Sequence, residues 1–118
     1  MDLPQEGYLL RIIIGESTRH DGMPLYEWIV VKARECGIAG ATVLRGMMGY
    51  GANSRIKTAS ILRLSEDLPV VIEMVDTREM LEQFLEILDP VLTEGLVTFE
   101  KMHIRMYRGT GSGDQGTG

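Results

Sequence analysis

The most unusual local feature of the sequence is a glycine-rich junction, Arg45-Gly46-Met47-Met48-Gly49-Tyr50-Gly51. Glycines let the backbone approach a ligand closely, and successive backbone N–H groups can form an anion-binding concavity. No Gly-Lys-Ser/Thr follows, which excludes a P-loop, and no helix is predicted after it, which excludes a dinucleotide-binding fingerprint. The spacing alone leaves two interpretations open, a ligand cradle and the flexible end of a β-hairpin.

Charge is distributed unevenly along the chain. Twelve Lys and Arg against seventeen Asp and Glu give a net charge of −5, so we expect no nucleic-acid partner. Two segments contain no acidic residue. Residues 36–65 hold Arg45, Arg55, Lys57 and Arg63, and residues 101–108 hold Lys101, His103, Arg105 and Arg108. We expect either a small-anion site where these segments meet or only an uneven solvated surface.

Other site chemistry has little support in the sequence. His20 and His103 are the only histidines and Cys36 is the single cysteine, whereas a closed metal site needs about four ligands. With so few candidate ligands, we expect no metal site. No nucleophile motif is present either, so we expect no catalytic residues. The single cysteine cannot form an internal disulfide, which favours a reducing compartment and a cytoplasmic location.

Apolar runs and helical periodicity define the elements that would position these residues. Strands are predicted at Tyr8–Ile14, from Ala41 towards Tyr50, at Thr58–Leu64, at Val70–Val75 after Pro69, and at Leu96–Arg108. The first helix is predicted to start at Pro24, with Asp21 as a candidate N-cap, to bury a face containing Leu25, Trp28, Ile29, Ala33 and Cys36, and to close at Gly37. The second is predicted to begin with a capping box of Asp76 and Glu79, to bury Leu81, Phe84, Leu85, Leu88 and Leu92, and to end or bend at Pro90.

The resulting order, β-α-β-loop-β-α-β, is typical of an α+β, ferredoxin-like fold with one antiparallel sheet and both helices on one face. The chain of 118 residues is long enough for one domain, predicted over residues 1–108 and followed by a disordered glycine-rich tail at 109–118. No apolar run approaches the roughly 20 residues of a membrane span, so we do not expect the protein to be membrane-embedded.

Two predicted strands are apolar on both faces. Residues 8–14 (YLLRIII) and 70–75 (VVIEMV) are interrupted only by Arg11 and Glu73, which we predict to form an ion pair. A sheet face exposed to water is normally polar, and the chain has no further element to cover a second apolar face. Oligomerisation is the simplest way to bury it.

The stretch at residues 35–51 (ECGIAGATVLRGMMGYG) resembles the helix-end, second-strand and loop-root segment of the PII signalling proteins. More broadly, residues 8–108 resemble the small bacterial PII-like proteins of unassigned function. The matching features are Gly15-Glu16, Pro24-Leu25, Gly40-Ala41-Thr42-Val43, Arg45-Gly46, Gly49-Tyr50-Gly51, Leu68-Pro69, Val75-Asp76 and Gly95-Leu96-Val97.

The resemblance implies a non-enzymatic signalling protein, a homotrimer in which residues 50–68 correspond to the mobile T-loop that engages a regulated transporter, channel or enzyme. It implies no obligatory cofactor but an effector, an adenine nucleotide such as AMP, ADP or ATP, held between subunits. The implied effector-binding residues are Thr42, Arg45, Gly46, Gly49, Gly51, Arg105 and Arg108. The implied partner-binding loop contains Tyr50, Asn53, Ser54, Arg55 and Lys57.

Three alternatives remain open at this point. The connection Thr93-Glu94-Gly95 is shorter than the second nucleotide-binding loop of PII and has no basic residue, which argues against tight ATP binding and leaves open a smaller anion, AMP or ADP, or no nucleotide at all. A small hydrolase of the acylphosphatase type would need an Asn beside its anion loop, but Asn53 is the only asparagine and lies in a different loop. A structural or metal-responsive trimer resembling the divalent-cation-tolerance family would show metal-dependent stabilisation.

Overall fold

The computed structural model describes residues 5–51, 57–58 and 67–110. Within them the strands are β1 Glu6–Gly15, β2 Arg19–His20, β3 Met23–Pro24, β4 Gly40–Arg45, β5 Met48–Gly49, β6 Lys57–Thr58, β7 Pro69–Asp76 and β8 Leu96–His103, and the helices are α1 Leu25–Glu35 and α2 Arg78–Leu88. The four long strands pair antiparallel in the order β4-β7-β1-β8. The predicted ferredoxin-like fold is confirmed. No helix in the described residues is long and apolar enough to cross a membrane.

The core lies between one face of the sheet and both helices. Alternate residues of β1 and β7 point into it, because successive side chains of a strand face opposite sides. The sheet contributes Leu10, Ile12, Ile14, Val70, Ile72 and Met74, and the helices contribute Leu25, Ile29, Ala33, Leu81, Phe84 and Leu88. The helical faces predicted from periodicity are therefore the ones that pack on the core, but four of the predicted residues are only half-buried, namely Trp28, Cys36, Leu85 and Leu92.

The start of α1 differs from the prediction. The helix begins at Leu25 with Pro24 as its N-cap residue, and no side chain caps it. Asp21 is instead the first residue of the turn between β2 and β3, where it and Gly22 have φ values of 54° and 78°. The prediction of Asp21 as the cap is wrong because this tight turn fixes its conformation. Gly37, with φ of 83°, closes the helix as predicted.

The predicted capping box of α2 is also wrong. Thr77 is the N-cap residue, and its Oγ1 accepts the Met80 N–H at 3.2 Å. Asp76 is instead the last residue of β7, opposite Tyr8, and is only 1% exposed. Because the strand ladder continues through Asp76, the helix starts one residue later, and Glu79 is an exposed first-turn residue. The helix ends at Leu88, just before Pro90 as predicted.

Two predicted strands are shorter in the structure. The strand β8 ends at His103, opposite Glu6, because β1 begins there and offers no partner for residues up to Arg108. The strand predicted from Ala41 to Tyr50 ends at Arg45, and Met48–Gly49 pairs with Lys57–Thr58 in a separate ribbon. The rest of the predicted strand at 58–64, together with Asn53, Ser54, Arg55 and most of the predicted tail, lies outside the described residues.

The face of the sheet opposite the helices carries cross-strand rows that run through all four strands. One row is apolar and consists of Leu44, Val71, Ile13 and Leu96, whose outer members are 52% and 54% exposed. The next row is polar and consists of Thr42, Glu73, Arg11 and Thr98. The predicted ion pair is present, with Arg11 Nε 2.9 Å from Glu73 Oε2. Both faces of the sheet therefore carry apolar side chains, and both helices cover the same face.

The buried Asp76 carboxylate connects three parts of the fold. Its Oδ2 accepts the Ala39 N–H at 2.8 Å and its Oδ1 accepts the Thr77 N–H at 2.6 Å. Asp76→Asn places an NH2 group against one of these N–H groups, leaving a buried donor unsatisfied. We expect a loss of about 2–3 kcal/mol in unfolding free energy, measured by urea denaturation at fixed protein concentration.

The matched control is Asp21→Asn, at an exposed left-handed position that Asn tolerates. It should change stability by less than about 0.5 kcal/mol. An equal effect of the two substitutions would show that Asp76 does not have this structural role.

Candidate functional site

The glycine-rich junction lies where β4 ends and β7 begins. The Gly46 N–H donates to the Pro69 carbonyl oxygen at 2.7 Å. A Cβ added at Gly46 would lie 2.8 Å from Pro69 Cγ, and one added at Gly49 would lie 3.0 Å from the same atom. The close approach of the chain to the Pro69 ring therefore explains why glycine stands at positions 46 and 49. A Cβ at Gly51 would meet nothing within 4 Å.

Arg45, the cation of this junction, is engaged by a carboxylate from the turn after β1. Its Nε lies 3.1 Å from Glu16 Oε2, and its Nη2 donates to Glu16 Oε1 at 3.2 Å. The Arg45 side chain is nevertheless 61% exposed. A guanidinium has five N–H donors, so the exposed Arg45 side chain is accessible to an anion from solvent, with Glu16 as its partner in this structure.

The same turn holds the other end of the segment between Gly46 and Leu68. The Glu16 N–H donates to the Leu68 carbonyl oxygen at 2.8 Å, and the Ser17 N–H donates to Asp67 Oδ1 at 2.6 Å. A Cβ at Gly15 would overlap the Asp67 carboxylate. Glu16 therefore contacts Arg45, just before this segment, through its side chain. It contacts Leu68, the last residue of the segment, through its backbone. Residues 15–18 thus hold both ends of the segment between Gly46 and Leu68, and we call these four residues the root clamp.

The second basic segment lies at the opposite end of the sheet. After β8, the Ile104 N–H donates to the Gln5 carbonyl oxygen, and Tyr107 Oη donates to the Ala39 carbonyl oxygen at 2.8 Å. Ala39 immediately precedes β4, whereas Arg45 ends it, and five residue steps of a strand span about 16 Å. Arg105 and Arg108, which flank Tyr107 and are exposed, therefore do not meet Arg45 within one chain.

The remaining candidates lie between or beside these two ends. Thr42 is exposed in the middle of the edge strand β4, opposite Glu73. The junction itself carries three exposed apolar side chains, which we call its apolar border: Met47 is 77% exposed, Met48 63% and Tyr50 75%. The side chain of Lys57 lies outside the described residues. Sequence reasoning proposed Arg45 and the glycines as candidates. It missed the contacts of Glu16 and Asp67, because neither acid interrupts an apolar strand as Arg11 and Glu73 do.

Solved structures place this architecture in a class. The fold resembles CPII of Thiomonas intermedia K12, a nitrogen regulatory PII-like protein solved with ADP and bicarbonate, with a TM-score of 0.64 and 17% identity over 84% of this chain and 88% of that one. It also resembles a PII-like signaling protein of Thermus thermophilus, with a TM-score of 0.54 and 18% identity over 84% and 87%. The chain therefore has the fold of the PII-like proteins, as the sequence resemblance predicts.

Sequence comparison gives the family itself. The model of the DUF190 family, described as Uncharacterized ACR, matches residues 7–104. A UPF0166 protein of Aquifex aeolicus is 36% identical over 81% of this chain and 90% of its own length. A UPF0166 protein of Methanocaldococcus jannaschii is 33% identical over 86% and 92%. The chain belongs to the DUF190 (UPF0166) family.

The contact between Gly46 and Pro69 gives a direct test of the junction. In Gly46→Ala the added Cβ must displace Pro69, so we expect a destabilisation of about 1–3 kcal/mol in denaturant unfolding. Gly51→Ala, where a Cβ has room, should change stability by less than about 0.5 kcal/mol. In a Pro69→Ala background the Gly46→Ala effect should shrink. An undiminished effect there would contradict the assigned contact.

Proposed function

We propose that this protein is a non-enzymatic PII-like regulator that binds an adenine nucleotide between the subunits of a homotrimer. Family membership and the likeness to PII-like folds support this class, and CPII was solved with ADP in one structure and with ADP and AMP in others. The effector occupies the glycine-rich junction at residues 45–51, which we call the loop root. The segment that starts at this junction contacts a regulated transporter, channel or enzyme.

The proposed homotrimer covers the apolar row of Leu44, Val71, Ile13 and Leu96. Large contiguous apolar patches on a protein surface mark interaction sites, and closed symmetric assemblies bury the same patch on every copy. The adjacent Arg11–Glu73 pair is about one-third exposed and would be further desolvated in such an interface. Since a desolvated ion pair tolerates few alternative arrangements, we propose that it fixes how the copies align.

The observation that carries the proposed site is the placement of the two basic segments at opposite ends of one sheet. Arg45 lies at one end, and Arg105 and Arg108 flank the anchored Tyr107 at the other. A single phosphate-bearing ligand can contact both sets only when they come from different chains. In our proposal, Arg45 of one subunit and Arg105 of its neighbour bind the phosphates.

Side-chain cations carry most of the proposed affinity. The Gly46 N–H already donates to Pro69, so it is not available to a phosphate in this conformation. Charge-assisted hydrogen bonds from Arg to phosphate are among the strongest in proteins. Thr42, which lies between the two ends on β4, is positioned to contribute its hydroxyl. Gly49 lets the chain pass close to the Pro69 ring, and Gly51 leaves open space beside the ligand.

Signalling is proposed to use the apolar border of the loop root. Met47, Met48 and Tyr50 are exposed beside Arg45, so a bound nucleotide would alter the surface they form. The predicted partner contacts Asn53, Ser54, Arg55 and Lys57 follow directly in the sequence. We expect no hydrolysis of the bound nucleotide, because the likeness to PII-like signalling proteins supports a binding role.

Nucleotide titration of single variants tests which residues bind the effector. Calorimetry with AMP, ADP and ATP should show binding to the wild-type protein. Arg45→Ala and Arg105→Ala should each weaken it by about tenfold to a hundredfold, through loss of a charge-assisted hydrogen bond. Arg34→Ala removes an exposed cation from α1 and should leave affinity unchanged. The absence of binding at millimolar nucleotide would refute nucleotide sensing.

Mixing the two impaired variants tests whether the site lies between subunits. When Arg45→Ala and Arg105→Ala chains are co-expressed in equal amounts, every mixed trimer contains one interface that joins an intact Arg45 to an intact Arg105. Random assembly should therefore restore about one quarter of the high-affinity sites, measured as calorimetric stoichiometry. A site within one chain would give no recovery, and that result would contradict the proposed cleft.

A further inference from the structure

Glu16 makes contacts that the proposed nucleotide site does not require. Its carboxylate faces Arg45 with both oxygens, at 3.1 Å from Nε and 3.2 Å from Nη2. The Glu16 side chain is only 29% exposed, so most of it is shielded from solvent while its carboxylate contacts the guanidinium. The main cation of the loop root is thus already paired before any effector arrives.

The local charge at this end of the sheet opposes anion binding. The root clamp brings a second carboxylate, that of Asp67, into contact with the Ser17 N–H and beside Gly15. Among the described side chains of this junction, the Glu16 carboxylate contacts the Arg45 guanidinium, and the Asp67 carboxylate lies beside the same turn. A phosphate that binds Arg45 must compete with Glu16 and overcome repulsion from both acids.

The backbone of Glu16 is held in place independently of its side chain. Its N–H donates to the Leu68 carbonyl oxygen at 2.8 Å, and the next residue is held by Asp67. The turn therefore stays attached to the loop root if the carboxylate leaves Arg45. Displacement requires only rotation of the Glu16 side chain, whose exposed fraction shows that one side is open to solvent.

We propose that Glu16 is an internal competitor for the effector site, an inference that rests on the proposed function. Its carboxylate occupies Arg45 in the unliganded protein and is displaced by the phosphates of the nucleotide. Because a carboxylate carries a single charge, a ligand with several negative charges displaces it more effectively than a monoanion does. Glu16 thereby lowers the affinity for all anions and favours nucleoside polyphosphates over small monoanions.

The test compares Glu16→Gln with the wild-type protein in calorimetric titrations of ADP, AMP and inorganic phosphate. Glutamine keeps the length and hydrogen-bonding capacity of the side chain but removes its charge. We expect Glu16→Gln to bind ADP about threefold to tenfold more tightly at low ionic strength, a range set by the modest strength of exposed ion pairs and the loss of repulsion. The difference should shrink at about 0.5 M salt, where exposed charges are screened.

The matched control is Glu82→Gln on α2. Glu82 also pairs with an arginine, since Arg78 Nε lies 2.8 Å from Glu82 Oε2, so this variant loses the same charge and a similar ion pair away from the loop root. Its ADP affinity should equal that of the wild-type protein. In the double variant Glu16→Gln/Arg45→Ala, the gain over Arg45→Ala alone should shrink to the part that comes from lost repulsion, because the competition itself acts through Arg45.

The possible results separate the two proposals. If the wild-type protein binds ADP and Glu16→Gln binds it equally or more weakly, Glu16 is not a competitor and only this inference is overturned. A weaker variant would identify Glu16 as a residue that orients Arg45 for the ligand. If neither protein binds any of the three probes, the proposed function is overturned together with the inference. If Glu16→Gln binds ADP and the wild-type protein does not, the competition is confirmed.

Discussion

The central constraint on this protein is a four-stranded sheet that is apolar on both faces but covered by helices on one. Alternation along β1 and β7 sends Leu10, Ile12, Val70 and Ile72 into the helix-covered core. The same alternation places Ile13 and Val71 on the opposite face, where the edge residues Leu44 and Leu96 complete a row across the sheet. This second face supports the proposed assembly, and the proposed assembly in turn is what brings the two basic ends of different sheets together.

The loop root combines a hydrogen-bonded backbone with an exposed arginine, Arg45, whose partner we propose to be exchangeable. Backbone hydrogen bonds join Gly46 to Pro69 and Glu16 to Leu68, and the close approach to Pro69 accounts for two of the glycines. The Arg45 guanidinium is exposed, yet it is paired with Glu16. In our proposal, ligand selection at this site depends on competition between charges and requires no preformed glycine cradle.

Local sequence patterns predicted the parts of the fold that depend on local rules. The apolar runs located β1 and β7, helical periodicity identified the buried residues of both helices, and the resemblance to PII-like proteins correctly indicated the topology. Apart from the cap assigned to Asp21, the errors arose where long-range pairing decides the outcome. Asp76 resembles a helix cap, but its pairing with Tyr8 makes it a strand residue, and the length of β1 ends β8 at His103. Likewise, the contact of Arg45 with Glu16, which is 29 residues away in sequence, follows only from the folded arrangement.

The most direct test of the account is the mass of the protein in solution, measured by sedimentation equilibrium of the full chain at micromolar concentrations. Burial of the face opposite the helices predicts self-association, and the homotrimer that the PII-like resemblance implies predicts a single species with three times the mass of the chain, unchanged on dilution through this range. A monomer that remains stable and well folded at these concentrations would contradict the account, because the second apolar face would then tolerate water and the proposed cleft would not exist.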